Sequence, residues 1–355
     1  MLRFNCSCGT EIFFENNHCA VCGQLLGFEP QRLMLLPLRA EEDGHGYFSA
    51  SGQRYRFCEL QQDQGCNWLI PAHDNNRQCV SCRTTRTIPT QTLPRNRLRW
   101  QRLEQTKRRA LYMPFRLGLP LNIIGTNADE YSIQTILGQP PLLFDFLEDQ
   151  RSNPDVMEEF IYSGHNNGVI TVNAAEAEDS FRATNRELMN ELYRTLLGHF
   201  RHELGHYYGL LLDEGALVEF RQLFGDERAD YQVALSHYYE EGARADWLQG
   251  YISAYASAHP LEDWAETWAH YLHIRDTLET AVAYELIGEP LGKNSFELAL
   301  TDWAKLTVML NALNRSMGVD DAYPFVITDV IRRKLGFIDR LVTVWQANGH
   351  NVARQ

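Results

Sequence analysis

Apolar residues recur at Leu188, Leu192, Leu196, Phe200, Leu204 and Leu211, a spacing close to the 3.6-residue period of a helix with one buried face. Thr184 followed by Glu187 reads as a capping box at the start of that pattern, so it predicts one long helix. Just upstream, Gly168-Val169-Ile170-Thr171-Val172-Asn173-Ala174 is β-branched and follows an Asn-Asn-Gly turn signal, which predicts a strand. Such a strand entering beside the helix would offer an unpaired edge, Gly168, Val169, Ile170, Thr171 and Val172, on which an extended peptide could dock. Leu33 to Leu38 and Leu119-Pro120-Leu121-Asn122-Ile123-Ile124 read as further strands, and Glu41 to Gly46 as an acidic loop. A helix is predicted to start after Pro94 and end before Pro114, with Trp100, Leu103 and Leu111 partly buried.

Beyond residue 184 the pattern is almost entirely helical. Apolar residues fall at three and four spacing near 227–241, 244–258, 261–275, 296–316 and 327–347, with Gly318 and Gly349 placed as stops after the last two. The class this predicts is α+β: a small β module, then a mostly helical domain with a small sheet.

A chain of 355 residues, 44% hydrophobic, can bury substantial cores, and its length suggests two or three domains. No apolar run approaches the roughly 20 residues that span a bilayer, and Met1-Leu2-Arg3-Phe4-Asn5-Cys6 lacks the apolar stretch of a secretory signal. The expected compartment is the cytoplasm, in keeping with eight cysteines that all precede residue 83.

Those cysteines form two sets. Cys6-x-Cys8 with Cys19-x-x-Cys22, separated by a short hairpin containing Ile12, Phe13 and Phe14, has the spacing of a zinc ribbon. Four thiolates suit tetrahedral structural zinc and leave no position open for chemistry. Cys58, Cys66, Cys79 and Cys82 would hold a second zinc, with His73 as a possible substitute ligand. Residues 1–116 carry a formal charge of +6 and the remainder −19. Two four-thiolate zinc sites would each add about −2, which reduces the N-terminal excess to about +2 and weakens a nucleic-acid reading. Arg95, Arg97, Arg99, Arg102, Lys107, Arg108, Arg109 and Arg116 stand against one acid, Glu104. They suggest a linker helix docked on an acidic domain before they suggest a nucleic-acid face.

The chemistry concentrates in Phe200-Arg201-His202-Glu203-Leu204-Gly205-His206-Tyr207-Tyr208. Positions i and i+4 of a helix point the same way, so His202 and His206 can share one zinc, and Glu203 would serve as general base to its water. A third ligand is needed. In His259-Pro260-Leu261-Glu262-Asp263-Trp264-Ala265-Glu266-Thr267-Trp268-Ala269-His270 the apolar stripe leaves Glu262 and Glu266 together on another face. Glu262 could then ligate while Glu266 orients a ligating histidine. Asp226 or Asp230 could make an aspartate-type site, and His259, His270 or His273 a three-histidine one; a histidine six residues after His206 is excluded, since that position is Leu212. His199 and His237 read as core or surface residues.

At these residues the chain resembles the gluzincin metallopeptidases that combine HExGH with a later E-x-x-A-E helix, the lethal-factor-like arrangement. His202, Glu203, Gly205 and His206 match the first motif and Glu262, Ala265 and Glu266 the second. The resemblance implies a tyrosine seven residues before the ligating glutamate that stabilises the tetrahedral intermediate. Tyr255 occupies that position, with Tyr251 nearby. Taken with Gly65-Cys66-Asn67-Trp68, Cys79 to Cys82, Arg86-Thr87-Ile88-Pro89 and Asn314-Arg315-Ser316-Met317-Gly318, the whole chain is similar to the bacterial putative zinc-binding metallopeptidase family. That likeness implies a ribbon region over 1–93, a basic linker helix over 94–116 and a zincin-like catalytic domain over 117–355. It also implies one catalytic and two structural zinc ions and a peptide or protein substrate. Three other functions fit the same residues: a ribbon scaffold with a structural zincin site, a nucleic-acid-associated protein, and a zinc amidase acting on a conjugated amide.

Overall fold

A computed structural model describes residues 1–41, 46–126, 136, 138–189, 191–288 and 296–352. The chain forms two compact units, one of Leu2–Asp179 with the residues from Trp345 onward, the other of Ser180–Val344 with Met1. The mixed α+β class and the order of its parts, small strands with cysteine groups between them before a mostly helical region, are as expected. Among the described residues no helix is long and apolar enough to cross a membrane.

In the first unit, β1 (Phe4–Asn5) and β2 (Glu11–Ile12) pair as a small hairpin. A five-stranded antiparallel meander follows in the order β3 (Leu25–Glu29), β4 (Met34–Ala40), β5 (Tyr47–Ser49), β6 (Arg54–Phe57), β7 (Leu69–Pro71), with the short helix α1 (Gln61–Gln64) before its last strand. Leu38, Tyr55 and Leu69 make its core. β8 (Thr85–Thr87) leads into the 23-residue helix α2 (Pro94–Arg116). A mixed sheet then has the order β10 (Gly164–Asn166), β11 (Val169–Asn173), β9 (Leu143–Leu147), β8. Asn167 and Gly168 both have positive φ, 44° and 89°, which is the two-residue turn that joins β10 to β11.

The structure departs from several expectations. β11 has no open edge: it pairs with β10 on one side and with β9 on the other. Val169, Ile170 and Thr171 thus have a strand on both sides and cannot receive a peptide by strand addition. Residues 119–124 form no strand; Leu119, Leu121 and Ile123 are buried, but Pro120 has no N–H to give a ladder. The acidic loop at Glu41 to Gly46 lies mostly outside the described residues. Helix α2 runs past Pro114, and much of its basic run is inside the unit: Arg99, Lys107 and Arg108 are buried, and Arg99 and Arg102 reach Glu178 and the Ala177 carbonyl.

The second unit is helical: α3 (Asp179–Leu188), α4 (Leu196–Gly209), α5 (Glu214–Leu223), α6 (Tyr231–Glu241), α7 (Trp247–Gly250), α8 (Pro260–Ala283), α9 (Phe296–Ser316) and α10 (Asp329–Val352). The single helix expected through 184–211 is two. Thr184 lies inside α3 with its hydroxyl on the Ser180 carbonyl, and the cap of α4 is Thr195, which accepts from the Gly198 N–H at 3.0 Å. Leu188 and Leu192 are accordingly exposed. The expected 244–258 helix reduces to α7 and a 3-10 turn at Tyr255–Ser257. Gly318 does follow a helix end, at φ 74°, whereas Gly349 lies inside α10. Trp264, Trp268, Tyr207, Tyr208 and Tyr271 fill the core between α4 and α8 and its surroundings, and Lys334 of α10 reaches Asp263 at 2.5 Å in a buried ion pair.

Candidate metal centres and active site

The eight cysteines are unbridged and gather as two groups of four, matching the expected sets. Sulfur separations are 3.6 Å for Cys6–Cys22, 3.7 Å for Cys8–Cys19, 3.7 Å for Cys66–Cys79 and 3.6 Å for Cys66–Cys82. Zinc–sulfur bonds of about 2.3 Å at tetrahedral angles would place the sulfurs about 3.8 Å apart, so the spacing fits zinc. His73 stands outside the second group. The first group leaves Cys8 and Cys22 exposed, and the second is buried throughout.

In the helical unit, α4 carries His202 and His206, and α8 carries Glu262 in its first turn. α8 starts sharply because His259 caps it, its Nδ1 accepting from the Leu261 N–H at 3.1 Å, and Pro260 fixes the first helical residue. The two helices cross where Gly205 meets Ala265. A Cβ on Gly205 would lie 2.8 Å from the Ala265 Cα, and the Trp264 indole N–H donates to the Gly205 carbonyl at 2.7 Å. Only glycine allows that approach.

The crossing brings His202, His206 and Glu262 together. His202 Nε2 lies 3.2 Å from His206 Nε2 and 3.1 Å from Glu262 Oε2; His206 Nε2 lies 3.4 Å from Glu262 Oε1. Zinc bonds of about 2.0–2.1 Å at tetrahedral angles imply about 3.3–3.4 Å between ligand atoms, so this donor set also fits the metal. Glu262 Oε2 is buried and makes no hydrogen bond, although an imidazole nitrogen is that close. Such a geometry suits atoms that face a shared ion rather than each other.

The surroundings fix these donors. Glu266 Oε1 is 2.7 Å from His202 Nδ1, which assigns the ring proton to Nδ1 and leaves Nε2 its lone pair; Ser253 Oγ holds the other Glu266 oxygen at 2.6 Å. The Tyr231 hydroxyl donates to Glu262 Oε1 at 2.7 Å. Burial pushes the Glu262 carboxyl up, but the imidazoles of His206 and His202 outweigh it and hold the group well below the usual range. Burial likewise acts on Glu203, where His199, His202 and His206 prevail and lower the carboxyl. His199 Nε2 stands 3.3 Å from Glu203 Oε1, while Glu203 Oε2 is buried without a hydrogen bond. The Tyr255 ring centroid is 6.0 Å from that of His202, and burial raises its phenol well above the ordinary value.

The rival ligands are engaged elsewhere. Asp226 pairs with Arg228 at 2.7 Å, and Asp230 caps α6. His259 caps α8, His270 bonds the Tyr323 hydroxyl at 2.8 Å, and His273 Nδ1 meets Arg201 at 2.7 Å. Tyr251 lies under the Lys334 ammonium, 4.5 Å from its ring centre. Tyr231, Ser253 and His199 were missed by sequence reasoning. His199 had a readable signal, four residues before Glu203 on one helix face; Tyr231 and Ser253 had none.

Residues 96–341 match a family described as "putative zinc-binding metallo-peptidase", and residues 3–93 match a zinc-ribbon domain. The chain is 38% identical over 353 residues to the uncharacterized protein Mb2598c of Mycobacterium bovis and likewise to the uncharacterized protein Rv2568c of Mycobacterium tuberculosis; each alignment covers 96% of this chain and 95% of the relative. No solved structure matches.

Proposed function

Because the chain belongs to the putative zinc-binding metallo-peptidase family, we propose that it hydrolyses peptide bonds, with His202, His206 and Glu262 as the ligands of a catalytic zinc. Two further zinc ions would be structural, one on each cysteine set, giving three per chain. The bound metal supplies an acidified water and a Lewis acid for the scissile carbonyl.

The protein's own groups do the rest. Glu203 is the general base: its Oε1 is occupied by His199, so Oε2, buried and without a hydrogen bond, is the oxygen that takes the water proton and later returns it to the leaving amine. Glu266 keeps His202 in the tautomer that ligates through Nε2, and Ser253 keeps Glu266 in place. Tyr231 orients Glu262 by holding its Oε1. Tyr255 stays a neutral phenol and serves as donor to the developing oxyanion.

The observation that supports this reading best is three lone-pair donors at tetrahedral spacing beside a buried carboxylate with one oxygen left over. Glu203→Gln is expected to keep all its zinc and lose cleavage of an unstructured protein substrate by about 10²–10⁴-fold. Cleavage by that variant at the wild-type rate would refute the mechanism.

A further inference from the structure

Arg108 of α2 is 5% exposed, and its guanidinium Nη1 donates to Gln64 Oε1 at 2.8 Å. Gln64, itself 3% exposed at the end of α1, donates its amide to Cys82 Sγ at 3.5 Å. A buried guanidinium costs several kcal/mol unless an opposite charge lies close. The nearby carboxylate, Glu104, is held by Lys107 at 2.9 Å and by the Thr85 hydroxyl at 2.5 Å. What remains is the second cysteine cluster, in which four thiolates around one Zn²⁺ leave a net charge of about −2. Burial pulls the Arg108 guanidinium down, and the charges of Cys66, Cys82, Glu104 and Cys79 outweigh it. The first cluster has no need of a buried cation, because Cys8 and Cys22 stand in water.

The two partners come from opposite sides of a boundary. The zinc-ribbon match ends at residue 93, and Arg108 lies in the peptidase match that begins at residue 96. We propose that Arg108 is the counter-charge of zinc on Cys58, Cys66, Cys79 and Cys82, and through Gln64 the positioning residue for Cys82. Loading of that site and seating of α2 are then one event, and the ribbon is not a separable module. The inference rests on zinc at the second cluster and is independent of peptidase activity.

Zinc release from the full chain into a chromogenic chelator, driven by a thiol-capping reagent, tests this, with the second-cluster phase identified by its loss in Cys82→Ser. Arg108→Met is expected to speed that phase by about 10–100-fold and to leave the first-cluster phase unchanged; Arg108→Lys, which keeps the charge, recovers most of the difference. A rate in Arg108→Met equal to wild type overturns the proposal, and so does Arg108→Lys releasing zinc as fast as Arg108→Met. Hydrogen exchange on the unmutated chain gives a second check: stripping the second-cluster zinc should deprotect the amides of residues 104–112. Undiminished protection there would refute the coupling. A wild-type chain without zinc on these cysteines would overturn both the zinc reading and the inference.

Discussion

Gly205→Ala tests whether the helix crossing assembles the site. The added Cβ would sit 2.8 Å from the Ala265 Cα and 3.1 Å from both the Ala265 carbonyl oxygen and the Trp268 Cβ. Carbon atoms in contact prefer about 3.5–4.0 Å, so α4 and α8 would have to part by about 0.7–1.2 Å. The opposing atoms are mainly backbone and cannot swing away, which puts the overpacking cost at about 2–3 kcal/mol. Against this stands the helix-propensity gain of alanine over glycine, about 1 kcal/mol. The net loss is therefore about 1–2 kcal/mol, or a fall in Tm of roughly 2–8 °C for a unit of this size. The metal should feel it more, since ligand distances tolerate only about 0.2 Å, and Glu262 moves with α8. Calorimetry and elemental zinc after dialysis would measure both effects. Gly215→Ala in the first turn of α5 is the control: its Cβ meets the Asp213 carboxylate at an ordinary 3.4 Å, so it should be neutral or slightly stabilising. A Gly205→Ala protein that gains stability as the control does and retains its full zinc would refute the crossing as the origin of the site.

His202→Ala should lower the zinc content from three per chain to two, and loss of any cysteine-bound zinc in that variant would contradict independent sites. Tyr231→Phe removes a hydrogen bond to an ionised carboxylate, worth about 1.5 kcal/mol, so the affinity of the histidine-bound zinc should fall somewhat over tenfold in chelator competition; an unchanged affinity would exclude the positioning role. The acid limb of stability should report Asp149. Burial raises this carboxyl, but Arg151, the Ile161 N–H and Asn173 prevail and hold it below its ordinary value. The unfolded chain therefore binds the proton first, so the contribution is complete above about pH 5 and is lost as the pH falls through the folded-state value. Asp149→Asn should thus flatten the decline in urea stability of the wild type below about pH 4, and an unaltered slope would show that Asp149 does not carry it.

Both cysteine sets and the HExxH turn could be read from the sequence because their chemistry is local: ligand spacing within a few residues already constrains the geometry. Burial and helix ends were less legible. The 188–211 stripe kept its period through a break, and the true cap, Thr195, lacks the glutamate three residues on that makes a capping box recognisable; that place is Gly198. The basic run of α2 read only as a linker docked on an acidic domain, with no partner named, because its partners are distant in sequence. Arg99 bonds Glu178 and the Ser152 carbonyl, and Arg108 faces the cysteine cluster through Gln64.

The choice of third ligand is the instructive case. Helical periodicity gave Glu262 and Glu266 a common face, but it could not rank them against Asp226, His259 or His273, since each also sits at a plausible distance along the chain. What ranks them is how closely two backbones can approach. The candidate donors, 3.1–3.4 Å apart on two helices, sit beside a close crossing, where a Cβ on Gly205 would lie 2.8 Å from the Ala265 Cα. Two small residues supply it, Gly205 one position before His206 and Ala265 one before Glu266. Neither touches the metal position. A search for a zinc ligand in such a sequence is therefore better guided by the small residues that let helices meet than by the count of available carboxylates and imidazoles.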